Sequence, residues 1–168
     1  MIGDAKVRAA EIRDCNRLTA LSLQVWLDTY AMDGINDEIA AYVLSLFTPK
    51  KFETILTDDT YRALVYTENG CLRGYVLINL NSRFKGEKNG FEIDKLYVQE
   101  PFQGRGIGRA LLEAVKKRFG SPFWLYTWVR NRSIGFYKHY GFRDIGRYDL
   151  HFKSRTVENR VLVYGRSD

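Results

Sequence analysis

Cysteine is scarce: the 168 residues contain only Cys15 and Cys71. Two thiols without C-x-x-C spacing make no disulfide framework, so a reduced, cytoplasmic protein is expected. Histidine is equally sparse. His139 and His151 have no metal-ligand spacing with either cysteine, so no metal is expected. No apolar run approaches the roughly 20 residues of a membrane-spanning helix. The opening MIGDAKVRAAEIRD carries charges in every turn and lacks the apolar stretch of a signal peptide. Neither a membrane partner nor secretion is therefore expected. Repeats, low-complexity tracts and Pro/Gly linkers are also missing, which points to one domain over residues 1–168.

What is present is ordinary globular composition with an uneven charge. The formal net charge is +6, yet residues 1–84 carry 9 basic and 11 acidic side chains, against 17 and 9 in residues 85–168. The basic half draws a polyanionic ligand electrostatically. Lys116-Lys117-Arg118 is read apart from this, as a solvated complement to a helix C-terminus. A basic pI with 14% aromatic residues also raises a nucleic-acid-binding domain. That class is disfavoured, because no such motif occurs and the basic residues gather around a different one.

That motif lies within Phe91–Phe119, FEIDKLYVQEPFQGRGIGRALLEAVKKRF. Phe91, Ile93, Leu96, Tyr97 and Val98 give a strand its β-branched and aromatic content. Ile107, Leu111, Val115 and Phe119 recur every four residues, as on the buried face of a helix. Between strand and helix, Gly104, Gly106 and Gly108 alternate with Arg105 and Ile107. A helix N-terminus presents unpaired N–H groups and partial positive charge, and glycine lets that backbone approach a ligand closely. The pattern is a phosphate-binding turn. A dinucleotide fingerprint fails, since its third glycine position holds Arg109 and the acidic residue about twenty positions on is missing. The nucleoside-triphosphate loop fails too, for want of its lysine and hydroxyl.

What remains is Q-x-x-G-x-G at Gln103, Gly106 and Gly108, preceded by EIDKLYV and followed by NRSIGFYKHYGF. This set resembles the GCN5-related N-acetyltransferase superfamily in order and spacing over about the C-terminal half. The N-terminal half resembles it only in its strand–helix–helix outline. The resemblance implies an α/β fold with a central, mixed but mostly antiparallel sheet, splayed between its fourth and fifth strands and flanked by about four helices. It also implies acetyl-CoA as co-substrate. By position, Gln103, Gly104, Arg105, Gly106, Ile107, Gly108 and Arg109 would hold the pyrophosphate, and Leu96, Tyr97 and Val98 the pantetheine arm. Asn131 matches a family asparagine that contacts that arm, and it also reads as an ordinary helix N-cap.

Punctuation sets the remaining elements. A strand is expected at Val7–Ile12, then a helix capped by Asp14, then a second helix from near Asn36 that ends before Pro49. Strands near Arg62–Thr67 and Leu72–Asn79 flank Asn69-Gly70, a hairpin turn. Phe123–Val129 is an apolar strand, and Asn131–Tyr140 a short helix closed by Gly141. Strands near Asp144–Phe152 and Arg160–Tyr164 flank a polar turn at Lys153–Asn159. In the central strand the apolar residues change parity between Ile93 and Leu96, as a β-bulge produces.

Two residues are candidates for proton transfer. Glu92 and Asp94 lie about 6–7 Å apart on one face of the central strand, where a carboxylate can take a proton from an ammonium directly or through water. The resemblance favours Glu92; Asp94 and water remain open. Tyr137 occupies the family's proton-donor position in F-Y-x-x-x-G-F and would also contact the cofactor. Phenols ionise near pH 10 and thiols near 8–9, so the transfer to a leaving thiolate is nearly balanced. Packing is the competing reading for Tyr137, as aromatics at helical spacing are usually core. Phe136 and Phe142 read as core, and Cys71 as structural.

The acceptor would be met by the segment from Trp26 to Glu38. Trp26, Asp28, Tyr30 and Asp33 supply aromatic and acidic groups that suit a cationic amine, and the segment has no basic residue. Asp37 and Glu38 already serve a helix N-terminus. The expected function is transfer of the acetyl group of acetyl-CoA to a primary amine of a small molecule, polyamine-like among the options. The alternatives are a peptide or protein amine, or a non-catalytic acyl-CoA sensor that needs neither Tyr137 nor Glu92. Oligomeric state is left open.

Overall fold

The computed structural model describes residues 4–152 and 155–167. Within these lie nine strands and five α-helices. β1 (Lys6–Ala9) leads through a 3₁₀ turn to α1 (Cys15–Tyr30), α2 (Asp37–Leu46) and α3 (Pro49–Leu56). β2 (Tyr61–Glu68), β3 (Cys71–Asn79) and β4 (Phe91–Val98) precede α4 (Ile107–Phe119), β5 (Phe123–Trp128) and α5 (Ser133–Tyr140). The chain ends in β6 (Arg143–Arg147), β7 (Leu150–Phe152), β8 (Arg155–Val157) and β9 (Asn159–Tyr164).

The strand order is β1-β2-β3-β4-β5-β9-β6, with β7 and β8 forming a separate hairpin. The β4–β5 pair is parallel, while β1–β2, β5–β9 and β6–β9 are antiparallel. The expected mixed, mostly antiparallel sheet is thus present. The parallel ladder has two register pairs, Phe91↔Phe123 and Glu92↔Trp124. It begins where Gly90 approaches Pro122 so closely that a Cβ on Gly90 would lie 1.8 Å from the Pro122 carbonyl oxygen.

The chain folds as two compact units, each discontinuous in sequence: Met1–Ile78 with Lys95–Arg118, and Asn79–Asp94 with Phe119–Asp168. The first unit is built on the buried side chains of Leu18, Val43, Phe47, Phe52, Val65 and Tyr75. Two of its helices are capped by side chains: Asn36 Oδ1 accepts from the Ile39 N–H at 2.9 Å, and Thr48 Oγ1 from the Lys51 N–H at 3.1 Å. In the second unit Phe123 stacks on Tyr164 at 5.1 Å, and Trp124 packs with Val161 and Val163 on the other face of the sheet.

Four expectations change. α3 is an additional helix: Pro49 does not stop one but starts it, at the first helical position, where its missing N–H costs nothing. Asp14 precedes α1, yet its side chain makes no cap bond. Instead it is fully buried, held by Arg8 at 2.7 and 2.9 Å, by the Glu11 N–H at 2.8 Å and by Arg17. Burial opposes its ionisation, but these hydrogen bonds prevail and hold the carboxyl down at about 2. Asn131 lies one residue before the cap position of α5, which is Arg132. The strand expected at Asp144–Phe152 divides into β6 and β7, and the register of β6 shifts between Asp144 and Gly146. Of the polar turn expected at Lys153–Asn159, Lys153 and Ser154 lie outside the described residues, while Arg155–Val157 is strand β8 and Asn159 opens β9.

Candidate active site

The glycine-rich loop belongs to the first unit. β4 ends at Val98 and a 3₁₀ turn, Glu100–Phe102, redirects the chain. Gln103 folds back and donates from its side-chain amide to the Val98 carbonyl at 3.0 Å. Gly104 and Gly106 then adopt φ of 75° and 83°, in the left-handed region, where a side chain is strained. Space beside both is open, with nothing within 4 Å of a Cβ built there. The Ala110 N–H donates to the Gly106 carbonyl at 2.9 Å, so the amides of Ile107 and Gly108 have no acceptor inside the helix. An open glycine backbone, outward amides and the positive end of a 13-residue helix fit a pyrophosphate. Arg105 and Arg109 are exposed beside it. Leu96, Tyr97 and Val98 are half-buried on the adjoining strand, where the Tyr97 ring meets Tyr75 edge-on at 5.6 Å and Phe47 at 6.3 Å.

The same unit carries the expected acceptor residues. Trp26 and Tyr30, one helical turn apart on α1, have ring centroids 5.1 Å apart. Tyr42 of α2 completes the cluster at 5.6 Å from Trp26. Sequence reasoning missed Tyr42, because a contact between helices leaves no local signal. Burial raises the pKa of the Tyr30 hydroxyl, with Tyr42 adding to the effect, and burial also raises that of Tyr42. Both stay neutral at physiological pH. Asp28 is exposed, two residues from Trp26 and hence on another face of α1, so the two are not brought together there. Asp33 is exposed in the following loop, flanked by Met32 and Ile35 at 68% and 61% exposure.

The proton-transfer candidates belong to the second unit. Glu92 is 7% exposed, and its register with Trp124 sets both side chains on one face of the sheet. Asp94, two residues on, is half-buried. Tyr137 is 7% exposed on α5, its ring 5.3 Å from Phe136 and 5.4 Å from Phe142. Asn131 Oδ1 accepts from the Ser133 N–H at 2.9 Å and so shapes the entry to α5. Among the described residues, no group of three or more His, Cys, Asp or Glu is placed to hold a metal.

A strand, a glycine turn and a helix N-terminus beside the short parallel β4–β5 pair make a site of the class that receives a phosphorylated ligand. The acetyltransferase (GNAT) family model matches residues 22–142. An uncharacterized N-acetyltransferase from the pepI 3′ region of Lactobacillus delbrueckii subsp. lactis is 25% identical over 158 residues, 90% of this chain and 89% of that one. Among solved structures, the PaiA N-acetyltransferase of Thermoplasma acidophilum in complex with coenzyme A aligns with a TM-score of 0.75 at 18% identity, covering 95% of this chain and 98% of that one. A chimera of the spermidine N-acetyltransferase SpeG from Vibrio cholerae and hSSAT aligns at 0.68 and 16%, covering 95% and 93%. The chain belongs to the GNAT family and is an acetyl-CoA-dependent N-acetyltransferase.

Proposed function

We propose that the enzyme acetylates the primary amine of a small cationic molecule. The observation that carries this reading is the Trp26–Tyr30–Tyr42 aromatic cluster, in a stretch whose exposed charges, Asp28 and Asp33 among them, are all acidic. Aromatic faces and carboxylates both attract an ammonium. A polyamine-like acceptor fits, and the fold likeness to the spermidine N-acetyltransferase chimera supports it. A second reading, a peptide or protein amine, is favoured by Met32 and Ile35, whose exposed apolar side chains suit a residue next to the amine.

In this reading the amides of Ile107 and Gly108, with Arg105 and Arg109, hold the pyrophosphate, Gln103 fixes the loop, and Leu96–Val98 hold the pantetheine arm. Acetyl-CoA supplies an acyl group already activated as a thioester. Glu92, directly or through water, takes the proton the acceptor ammonium must lose before its nitrogen attacks; Asp94 is the alternative base. Tyr137 gives its hydroxyl proton to the departing thiolate sulfur; the second proton, which the attacking nitrogen sheds as the amide forms, passes through solvent and restores the phenol, and the proton taken by Glu92 is released to solvent. Asn131 holds the start of α5 and so the position of Tyr137. No covalent enzyme intermediate is required.

We place the enzyme in the cytoplasm, as a single acetyltransferase domain over residues 1–168. Cys15 and Cys71 are both free thiols, and no described helix is long and apolar enough to cross a membrane. The deciding experiment is a thiol-release screen with acetyl-CoA against polyamines, amino acids, aminoglycosides and short peptides. Turnover with polyamines supports the first reading, and turnover confined to peptides supports the second. Acyl-CoA binding without turnover on any acceptor leaves only a sensor.

A further inference from the structure

We infer that Arg73 and Gly74 of β3 are positioning residues for the CoA-binding loop. The inference rests on the reading that Gln103–Arg109 holds the pyrophosphate. Three contacts from this dipeptide hold the approach to that loop and the point within it where α4 begins. Before it, the Arg73 carbonyl accepts from the Gln99 N–H at 3.0 Å. At its entry, the Arg73 guanidinium lies over the Phe102 ring, 4.2 Å from the centroid, and the Arg105 guanidinium lies 5.5 Å from the same centroid. Within it, where α4 begins, Ile107 comes close to Gly74, which has no side chain there, as do Tyr97 and Val98 of the preceding strand. A Cβ there would lie 3.0 Å from the Tyr97 carbonyl oxygen and 3.2 Å from Ile107 Cγ2.

Arg73 suits this task because its guanidinium is held in place. Glu68 binds one edge through an ion pair, and the buried Nε has no hydrogen-bond partner among the described residues. The planar group is therefore fixed by Glu68 at its edge and by Phe102 against its face. Lysine cannot reproduce a planar stack. Holding Phe102 fixes where the chain enters Gln103, and admitting Ile107 beside Gly74 fixes where α4 begins. The glycines between need no contacts of their own, which leaves their amides to the ligand. A loop set in place before binding loses less entropy when the ligand arrives.

The test uses CoA as probe, with affinity measured by calorimetry and amide exchange of residues 103–109 measured in the apo enzyme. Arg73→Met should raise the CoA Kd about 5- to 20-fold and speed exchange in the loop. Phe102→Leu should do the same, and the double variant should be no worse than either alone. Arg73→Lys should not restore affinity. Glu68→Gln, whose amide oxygen still accepts from the guanidinium edge and so keeps the stack, should stay within about twofold. Additive losses, rescue by lysine or unchanged loop exchange would each overturn the proposal and leave Arg73 a structural or long-range charge. Gly106→Val separates the two readings. If that variant binds CoA normally, the loop assignment falls and this proposal with it. If it loses CoA while Arg73→Met does not, the positioning role alone fails.

Discussion

Tyr137 tests packing against chemistry in one atom. Its ring contacts Phe136 and Phe142 and is almost fully buried, so removing the ring confounds stability with activity. Tyr137→Phe removes only the hydroxyl. General-acid catalysis is worth about 10²–10⁴-fold, and kcat should fall within that range while thermal stability and CoA affinity hold. An acyl donor with a better leaving thiol should suffer less. A variant within a few-fold of the parent for every donor makes Tyr137 a packing residue. Asp14 gives the opposite kind of residue, with a consequence for stability alone. Its folded pKa of about 2 lies below the ordinary 3.8. The unfolded chain therefore binds the proton more readily. The stabilisation, about 2–3 kcal/mol, is complete above roughly pH 4 and is lost as pH falls through about 2. Urea midpoints between pH 5 and pH 2 should show that loss, and Asp14→Asn should start less stable and fall less steeply. Parallel pH profiles for the two proteins would show that Asp14 is not the group responsible.

At the scale of elements, legibility followed locality. The Gln103–Gly108 loop and α4 were readable because spacing alone defines them: glycines at fixed offsets, then an apolar residue every four. The Asn69-Gly70 turn was readable for the same reason, and both residues do adopt positive φ, 53° and 75°. α3 was not, because proline is equally at home after a helix and at its first position. Only Thr48 accepting from Lys51 distinguishes the two. Asp14 looked like a cap because caps are local, whereas its partner Arg8 lies on a separate strand, β1. Tyr42 and Arg73 were missed for one cause: their contacts join elements that sequence periodicity treats one at a time. The loop itself makes a direct prediction. Gly106→Val adds a branched side chain at φ 83°, where open space now borders the helix amides. Each charge-assisted hydrogen bond lost to CoA costs about 1.5–3 kcal/mol, so affinity should drop at least tenfold by calorimetry. The strain is confined to an exposed turn, and apo far-UV circular dichroism should match the parent. Unchanged affinity would place the cofactor elsewhere.

Charge is unevenly distributed along the whole chain. Its net charge of +6 comes entirely from residues 85–168, which contain the glycine loop, while residues 1–84, with the acceptor segment, are net acidic. Under the proposed function an anionic co-substrate and a cationic acceptor would each meet the opposite sign, and both attractions would be screened by salt. The Debye length falls from about 10 Å at 0.1 M to about 3 Å at 1 M ionic strength. Both Michaelis constants should therefore rise with salt if the acceptor is a cationic amine. With a neutral acceptor, only that for acetyl-CoA should rise. Asp33 localises the effect, since it is exposed in the loop after α1 and has no hydrogen-bond or ion-pair partner among the described residues. Asp33→Asn should raise the acceptor KM about 2- to 5-fold at low salt and by less at high salt, in line with the small energies of exposed charge pairs. The KM for acetyl-CoA and kcat should hold, because a uniform binding interaction is lost and no step of the chemistry is touched. Steady-state kinetics at about 20 and about 500 mM salt decide the matter. An acceptor KM that ignores both salt and Asp33→Asn means that the acidic segment is merely solvated and that recognition of the amine rests on other groups.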